Sequence, residues 1–171
     1  MSALRNESLA GLKILVVDDA PDNRLLVSRF LSLAGASVVL SDNAVDGIAT
    51  ALQGQFDLVL MDIQMPIMDG YEAVQRLRRL NYRVPVVALT AHAMSSDRNR
   101  CLAAGFDGYL TKPIERTQLL STVEACVHAS RASSSGSTQS GDTRPDQVSQ
   151  HAKLGACQSQ AHTTDSQEDQ H

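Results

Sequence analysis

Five side chains that could do chemistry stand where short apolar runs end. Asp18 and Asp19 directly follow Val16 and Val17, Asp62 follows Leu60 and Met61, Thr90 closes the run VVALT, and Lys112, with Pro113 behind it, follows GYLT. Any one of them could be polar only because a chain leaving a core meets solvent. As a set they say more, because the carboxylates abut residues that belong in a core. Brought into one pocket, three carboxylates repel: at about 4 Å, like charges cost about 4 kcal/mol per pair at an effective dielectric near 20. A stable fold needs compensating cations. Lys112 supplies one charge and a hard divalent ion the rest, and a site of few carboxylates completed by water suits Mg²⁺. Such a site leaves coordination room for a phosphate oxygen, and Thr90 and Lys112 are then hydroxyl and ammonium donors for the remaining phosphoryl oxygens.

Convergence requires a scaffold, and the chain alternates strand and helix signals. LKILVV (12–17) reads as a fully buried strand by its length and β-branching. Pro21 opens a helix with Val27, Phe30, Leu31 and Ala34 as its stripe, and Gly35 ends it. SVVLS (37–41) is a second strand; Ser41 or Asp42 caps a helix that stops at Gly54. FDLVLM (56–61) is a third strand, followed past Pro66 by a helix over 70–80 with arginines on its outer face. VPVVALT (84–90) is a fourth, then a short helix capped by Ser95 or Ser96 and ending at Gly105. DGYLT (107–111) is a weak fifth strand, and 115–129 a last helix with Leu119, Leu120, Val123 and Val127 on one face. Strict alternation with continuous apolar strands predicts an α/β fold, a parallel sheet covered on both faces. Ligands of such sheets sit beyond the carboxyl ends of the strands, where all five side chains lie.

Composition bounds the rest. The 171 residues carry a net charge of −4, shared evenly between residues 1–130 (12 basic, 14 acidic) and the remainder (3 and 5). That is no basic footprint for nucleic acid. Cys101, Cys126 and Cys157 are too few and odd in number for a disulfide framework, and read as reduced cytosolic thiols. No apolar run approaches the roughly 20 residues of a membrane span, and the N-terminus MSALRNESLAGLK lacks a secretory apolar region. Cytoplasmic residence is the expectation. Residues 131–171 hold only Val148 and Leu154 as large apolar side chains, while Ser, Thr, Gln and Gly fill 22 of the 41 positions. Such a segment cannot offset its ordering entropy and is expected to be a disordered polar tail, its histidines His151, His162 and His171 solvated. The expected organisation is an N-terminal extension (1–10), one domain (11–130) and that tail, with no effector domain following.

The segments ILVVDDAPDN, LVLMDIQMPIMDGYE, VVALTAHA and GYLTKPI, in this order, resemble the receiver domain of two-component response regulators, and most closely the receivers attached to hybrid sensor histidine kinases. The resemblance implies a flavodoxin-like, doubly wound sheet of five strands in the order 2-1-3-4-5 with five helices. It implies that Asp62 is the phosphoacceptor, and that Asp18, Asp19, Asp62 and the backbone carbonyl of Gln64 hold Mg²⁺. Lys112 is then the partner of the phosphoryl group, Thr90 the switch hydroxyl and Tyr109 the rotating aromatic, with a cis bond before Pro113. The donor is phosphohistidine on a histidine kinase or histidine phosphotransfer domain. The chain is a phosphoacceptor that catalyses its own transfer and dephosphorylation, not an enzyme acting on other substrates. Its output is contact with a downstream protein, phosphorelay or phosphate storage, with a phosphorylation-dependent dimer left open. Nucleic acid and membrane are not expected partners.

Other residues take plainer readings. Asp57 is a surface residue at the far end of the third strand, Asp69 with Gly70 is a turn and cap, Met61, Met65 and Met68 are filler, and Cys101 is a small buried residue. Gln64 and His92 flank the expected phosphate, where they would tune water access to it. Two rival classes share the topology. A flavodoxin-like flavin binder needs a Ser/Thr/Gly-rich phosphate loop after the first strand, where this chain has DDAPDN. A pseudo-receiver scaffold would lack part of the complete set Asp18, Asp19, Asp62, Thr90 and Lys112.

Overall fold

A computed structural model describes residues 8–91 and 95–134, with side chains outside 95–97 and 134. Five strands, β1 (Lys13–Val17), β2 (Ser37–Ser41), β3 (Leu58–Asp62), β4 (Val86–Thr90) and β5 (Gly108–Thr111), alternate with five helices. These are α1 (Pro21–Leu33), α2 (Ala44–Gln53), α3 (Gly70–Arg79), α4 (Ser95–Ala104) and α5 (Arg116–Ser134). All strand pairs are parallel and the order is β2-β1-β3-β4-β5, the flavodoxin-like arrangement expected. The central strands β3 and β4 are buried along their whole length, as their unbroken apolar runs require.

The period of two along each strand divides the core into halves. Ile14, Val16, Leu58, Leu60, Val87 and Leu89 pack beneath Val27 and Leu31 of α1 and Leu119 and Val123 of α5. Leu15, Val17, Val59, Met61, Val86 and Ala88 face the opposite way, onto Ala51 of α2, Ala73, Val74 and Leu77 of α3 and Cys101 of α4. Leu9, placed by sequence in the N-terminal extension, is fully buried in the first half, and its N–H donates to the Ala34 carbonyl at 2.9 Å.

Several boundaries differ from expectation for local reasons. The cap of α2 is Asn43, not Ser41 or Asp42: its side chain accepts the Asp46 N–H at 2.8 Å, while the Ser41 hydroxyl donates to the Asn43 carbonyl. β3 starts at Leu58 and includes Asp62, so the phosphoacceptor candidate closes the strand instead of following it. α5 continues to Ser134, into the first residues of the expected tail. Its last turns are exposed and carry Arg131 3.5 Å from Asp57, so they have no apolar stripe to announce them. Arg78 is not an outer-face arginine. Its guanidinium donates to the carbonyls of Gly105, Tyr82 and Val84 and pairs with Asp107 at 2.6 Å, tying the end of α3 to the turn before β5. Cys101 is buried and Cys126 half-buried, and the two are not joined to each other. Among the described residues no helix is long and apolar enough to cross a membrane.

Candidate functional site

Register brings the site together. Val17 pairs with Met61 and Thr90 with Thr111, so the next residues, Asp18 beside Asp62 and Lys112 beyond Thr90, meet at one edge of the sheet. One carboxylate oxygen from each of Asp18, Asp19 and Asp62 falls within 4.8 Å of the others. Asp18 and Asp62 are buried and Asp19 is exposed. Lys112 Nζ bridges the buried pair, 2.9 Å from Asp18 Oδ2 and 2.7 Å from Asp62 Oδ2. The remaining oxygens are held by backbone: Asp18 Oδ1 accepts the Ala20 N–H at 2.8 Å and Asp62 Oδ1 the Gln64 N–H at 3.2 Å. The Arg24 guanidinium donates to the Asp18 carbonyl, a contact the sequence did not announce because Arg24 reads as an ordinary helix-surface residue.

Burial dominates the ionisation of Asp62. Desolvation pushes its carboxyl above the ordinary value, Lys112 pulls it down, and the Asp18 charge adds to the rise. Lys112 is also desolvated, which alone would lower its pKa. Its hydrogen bonds to Asp62 and Asp18 and their charges outweigh that, so it is raised. Three carboxylates against one ammonium leave a formal −2. At 4–5 Å the two buried carboxylates repel by roughly 3–4 kcal/mol at an effective dielectric near 20. An all-oxygen donor set with one member open to solvent and this excess of negative charge fits a hard divalent cation that keeps some of its water.

Thr90 ends β4 and is buried; it shares the sheet face of Ala88, the face on which half-buried Tyr109 packs. Gln64 is exposed beside Asp62. The Lys112–Pro113 peptide bond is cis. Asp57 lies away from the cluster, at the other end of β3's run, where it accepts the Lys13 N–H at 2.9 Å. Asp69 caps α3, accepting the Glu72 N–H at 2.8 Å. Met61, Met65 and Met68 are buried among apolar side chains. His92, the histidines beyond residue 150 and the side chains of Ser95 and Ser96 lie outside the described residues. The β3–α3 loop holds what sequence reading missed. Ile67 is 98% exposed at φ 71°, centred in a turn closed by Met68 N–H to the Pro66 carbonyl at 2.8 Å. Gly70 lies so close to Asp62 that a Cβ there would sit 2.3 Å from the Asp62 carbonyl oxygen.

Known proteins place this arrangement. Residues 14–124 match the family model described as the response regulator receiver domain. The chain is 45% identical over 116 residues to the sensor protein GacS of Pseudomonas syringae pv. syringae, a match covering 65% of this chain and 13% of that protein. The chain thus spans a small part of the length of the curated relatives it matches. Among solved structures it resembles the receiver domain of the sensor histidine kinase PA1611 from Pseudomonas aeruginosa PAO1, described with a magnesium ion coordinated in its active-site cleft. The TM-score is 0.64 at 36% identity, over 70% of this chain and 99% of that one. It also resembles the chemotaxis protein CheY4 of Vibrio cholerae, with TM-score 0.65 at 32% identity over 68% and 99%. The flavin-binding and scaffold alternatives are not favoured: an acidic loop follows β1 where flavin phosphate would need a neutral cradle, and the set Asp18, Asp19, Asp62, Thr90 and Lys112 is complete. This chain belongs to the response regulator receiver domain family, as a homologue of the receivers of hybrid sensor histidine kinases.

Proposed function

We propose that Asp62 accepts a phosphoryl group from phosphohistidine on a histidine kinase or histidine phosphotransfer domain. The observation that carries this is the buried Asp62 carboxylate held between Lys112 Nζ and the Gln64 N–H beside two further aspartates. A carboxylate oxygen of Asp62 attacks phosphorus in line, the P–N bond breaks, and the departing imidazole takes a proton from solvent. Asp18, Asp19, Asp62 and the Gln64 carbonyl would hold Mg²⁺, which when bound supplies positive charge against the equatorial phosphoryl oxygens. Lys112 follows the new charge: its ammonium, already within hydrogen-bond reach of Asp62, stabilises a phosphoryl oxygen. The Thr90 hydroxyl turns toward the same group, and Tyr109 moves into the space that Thr90 leaves. Exposed Gln64, with His92, sets water access to the acyl phosphate and so its lifetime. The chain catalyses its own phosphorylation and dephosphorylation and passes the signal on in the cytoplasm by contact with a downstream protein or by phosphorelay.

Incubation with acetyl phosphate tests the reading. Wild type should take up one phosphoryl group with Mg²⁺ and lose it in alkali, as an acyl phosphate does. Chelation or Asp19→Asn should suppress uptake, and Lys112→Ala should slow it by about 10²-fold, the scale of losing one transition-state donor. Uptake that ignores chelation would overturn the proposal.

A further inference from the structure

The outer surface of α2 and α3 carries a groove that the phosphoacceptor chemistry does not use. Its volume is about 370 Å³, and Val45, Ile48, Met68, Arg76, Arg79 and Leu80 line it. α2 buries Ala44, Gly47 and Ala51 against the sheet, yet Val45, Ile48 and Leu52 form a second apolar stripe at helical spacing. Val45 is 52% and Leu52 45% exposed; across the groove Leu80 is 59% exposed. The rim is cationic. Among the described residues Arg76 pairs only with its helix neighbour Glu72, at 2.7 Å and with both side chains about half exposed, and Arg79 makes no ion pair. A surface ion pair of that kind is worth little and exchanges readily for a better acceptor. Two arginines framing an apolar trough stand out in a chain of net charge −4.

We propose that this groove docks a short acidic segment of a partner protein, which inserts apolar side chains at helical spacing between α2 and α3 and sets Asp or Glu against Arg76 and Arg79. Charge complementarity selects this occupant. A second copy meeting the groove face to face would set arginine against arginine across a two-fold axis. An anionic membrane attracts a basic segment by about 1 kcal/mol per residue near its surface, and two arginines make a weak anchor. A helix-in-groove contact uses both the apolar floor and the charged rim. The inference does not rest on phosphorylation of Asp62, and its failure would leave phosphoryl uptake unchanged.

The test is a ¹⁵N–¹H shift titration of the full chain with two synthetic helical peptides. Both carry a Leu/Ile stripe; one is flanked by Asp and Glu, the other by Lys and Arg. The acidic peptide should move the resonances of Val45, Ile48, Arg76, Arg79 and Leu80, bind more weakly as salt rises, and outcompete the basic one. Arg76→Glu with Arg79→Glu should weaken it about tenfold and reverse the preference. Val45→Ser should weaken both peptides, with the melting temperature reporting that each variant is folded. Equal binding of the two peptides, or shifts confined to another face, would overturn the proposal. So would movement of the same resonances by protein concentration alone, or by anionic vesicles with no response to the acidic peptide.

Discussion

Lys112 offsets one of the charges that Asp18, Asp19 and Asp62 bring together, and the rest is left for a cation from solution. That imbalance has a measurable sign. Burial raises the Asp62 carboxyl above its ordinary value, so between the two values the folded state binds more protons than the unfolded state. Stability of the metal-free protein should therefore fall as pH rises through that window. Lys112 has the same sign in a far more alkaline window: its raised pKa stabilises the fold at all lower pH, and that gain is lost only as pH climbs from the ordinary lysine value through the raised one. Asp62→Asn removes the buried charge and keeps the shape. In metal-free buffer at pH 7 it should raise stability by about 1 kcal/mol, or roughly 4 °C, by calorimetry. The same substitution should blunt the stabilisation that Mg²⁺ gives wild type, and that stabilisation should shrink as pH falls and the Asp62 carboxyl, raised by burial, takes up a proton. A metal-free Asp62→Asn that melts lower would mean that Lys112 outweighs burial. These residues were legible in the sequence because each follows a run that only a core could hold. Which oxygen meets which donor was not, since Lys112 lies 94 residues from Asp18 and 50 from Asp62.

Elements fix where the site residues stand, and two contacts do so with little slack. The start of α3 presses on the Asp62 carbonyl through Gly70, whose N–H donates to Ile63 at 2.9 Å. Gly70→Ala must push α3 away or distort the end of β3, and should cost about 2 kcal/mol in chemical denaturation. Ile67 sits two residues before the Asp69 cap at positive φ, where a β-branched side chain is strained. Ile67→Gly should leave the melting point unchanged or raise it, although an apolar side chain is lost, because that side chain is already in water. Arg78 joins α3, the loop before β4 and the turn before β5 through four hydrogen bonds, and Asp107 Oδ2 accepts the Val86 N–H as well. Arg78→Ala should cost about 2–4 kcal/mol, and Arg78→Lys should recover less than half, because an ammonium cannot span three carbonyls and a carboxylate. Strands and helix order were readable from periodicity. The Arg78 clamp was not, because a helical arginine looks the same whether its head meets water or carbonyls from distant loops. The cap at Asn43 was missed by one or two positions because Ser41, Asp42 and Asn43 are all competent caps, and only the chain direction leaving β2 decides among them.

The whole domain is a sheet with a separate apolar layer on each side, and the site lies where both layers end. Asp62 follows Leu60 on the α1 and α5 side, whereas Thr90 and Tyr109 belong to the side covered by α2, α3 and α4. On the proposed function, a phosphoryl group that draws Thr90 toward Asp62 would couple the two layers and shift packing around Tyr109. Comparison of the unmodified chain with its beryllofluoride adduct should place the Tyr109 ring in two different environments by NMR; one unchanged environment would separate the site from that surface. The polar composition beyond Ser134 predicts that removing residues 135–171 changes the melting temperature by less than about 2 °C and leaves phosphoryl uptake intact. A larger drop would mean that the segment docks on the domain. The proposed function depends on one bond, between phosphorus and a carboxylate oxygen of Asp62. Its most direct test is mapping of the phosphoryl position by mass spectrometry after brief exposure to acetyl phosphate and Mg²⁺, alongside Asp62→Asn and the distant control Asp57→Asn. The predicted result is a single phosphoryl group on Asp62, absent from Asp62→Asn and retained by Asp57→Asn. Wild-type label on any other residue, or undiminished label in Asp62→Asn, would contradict it.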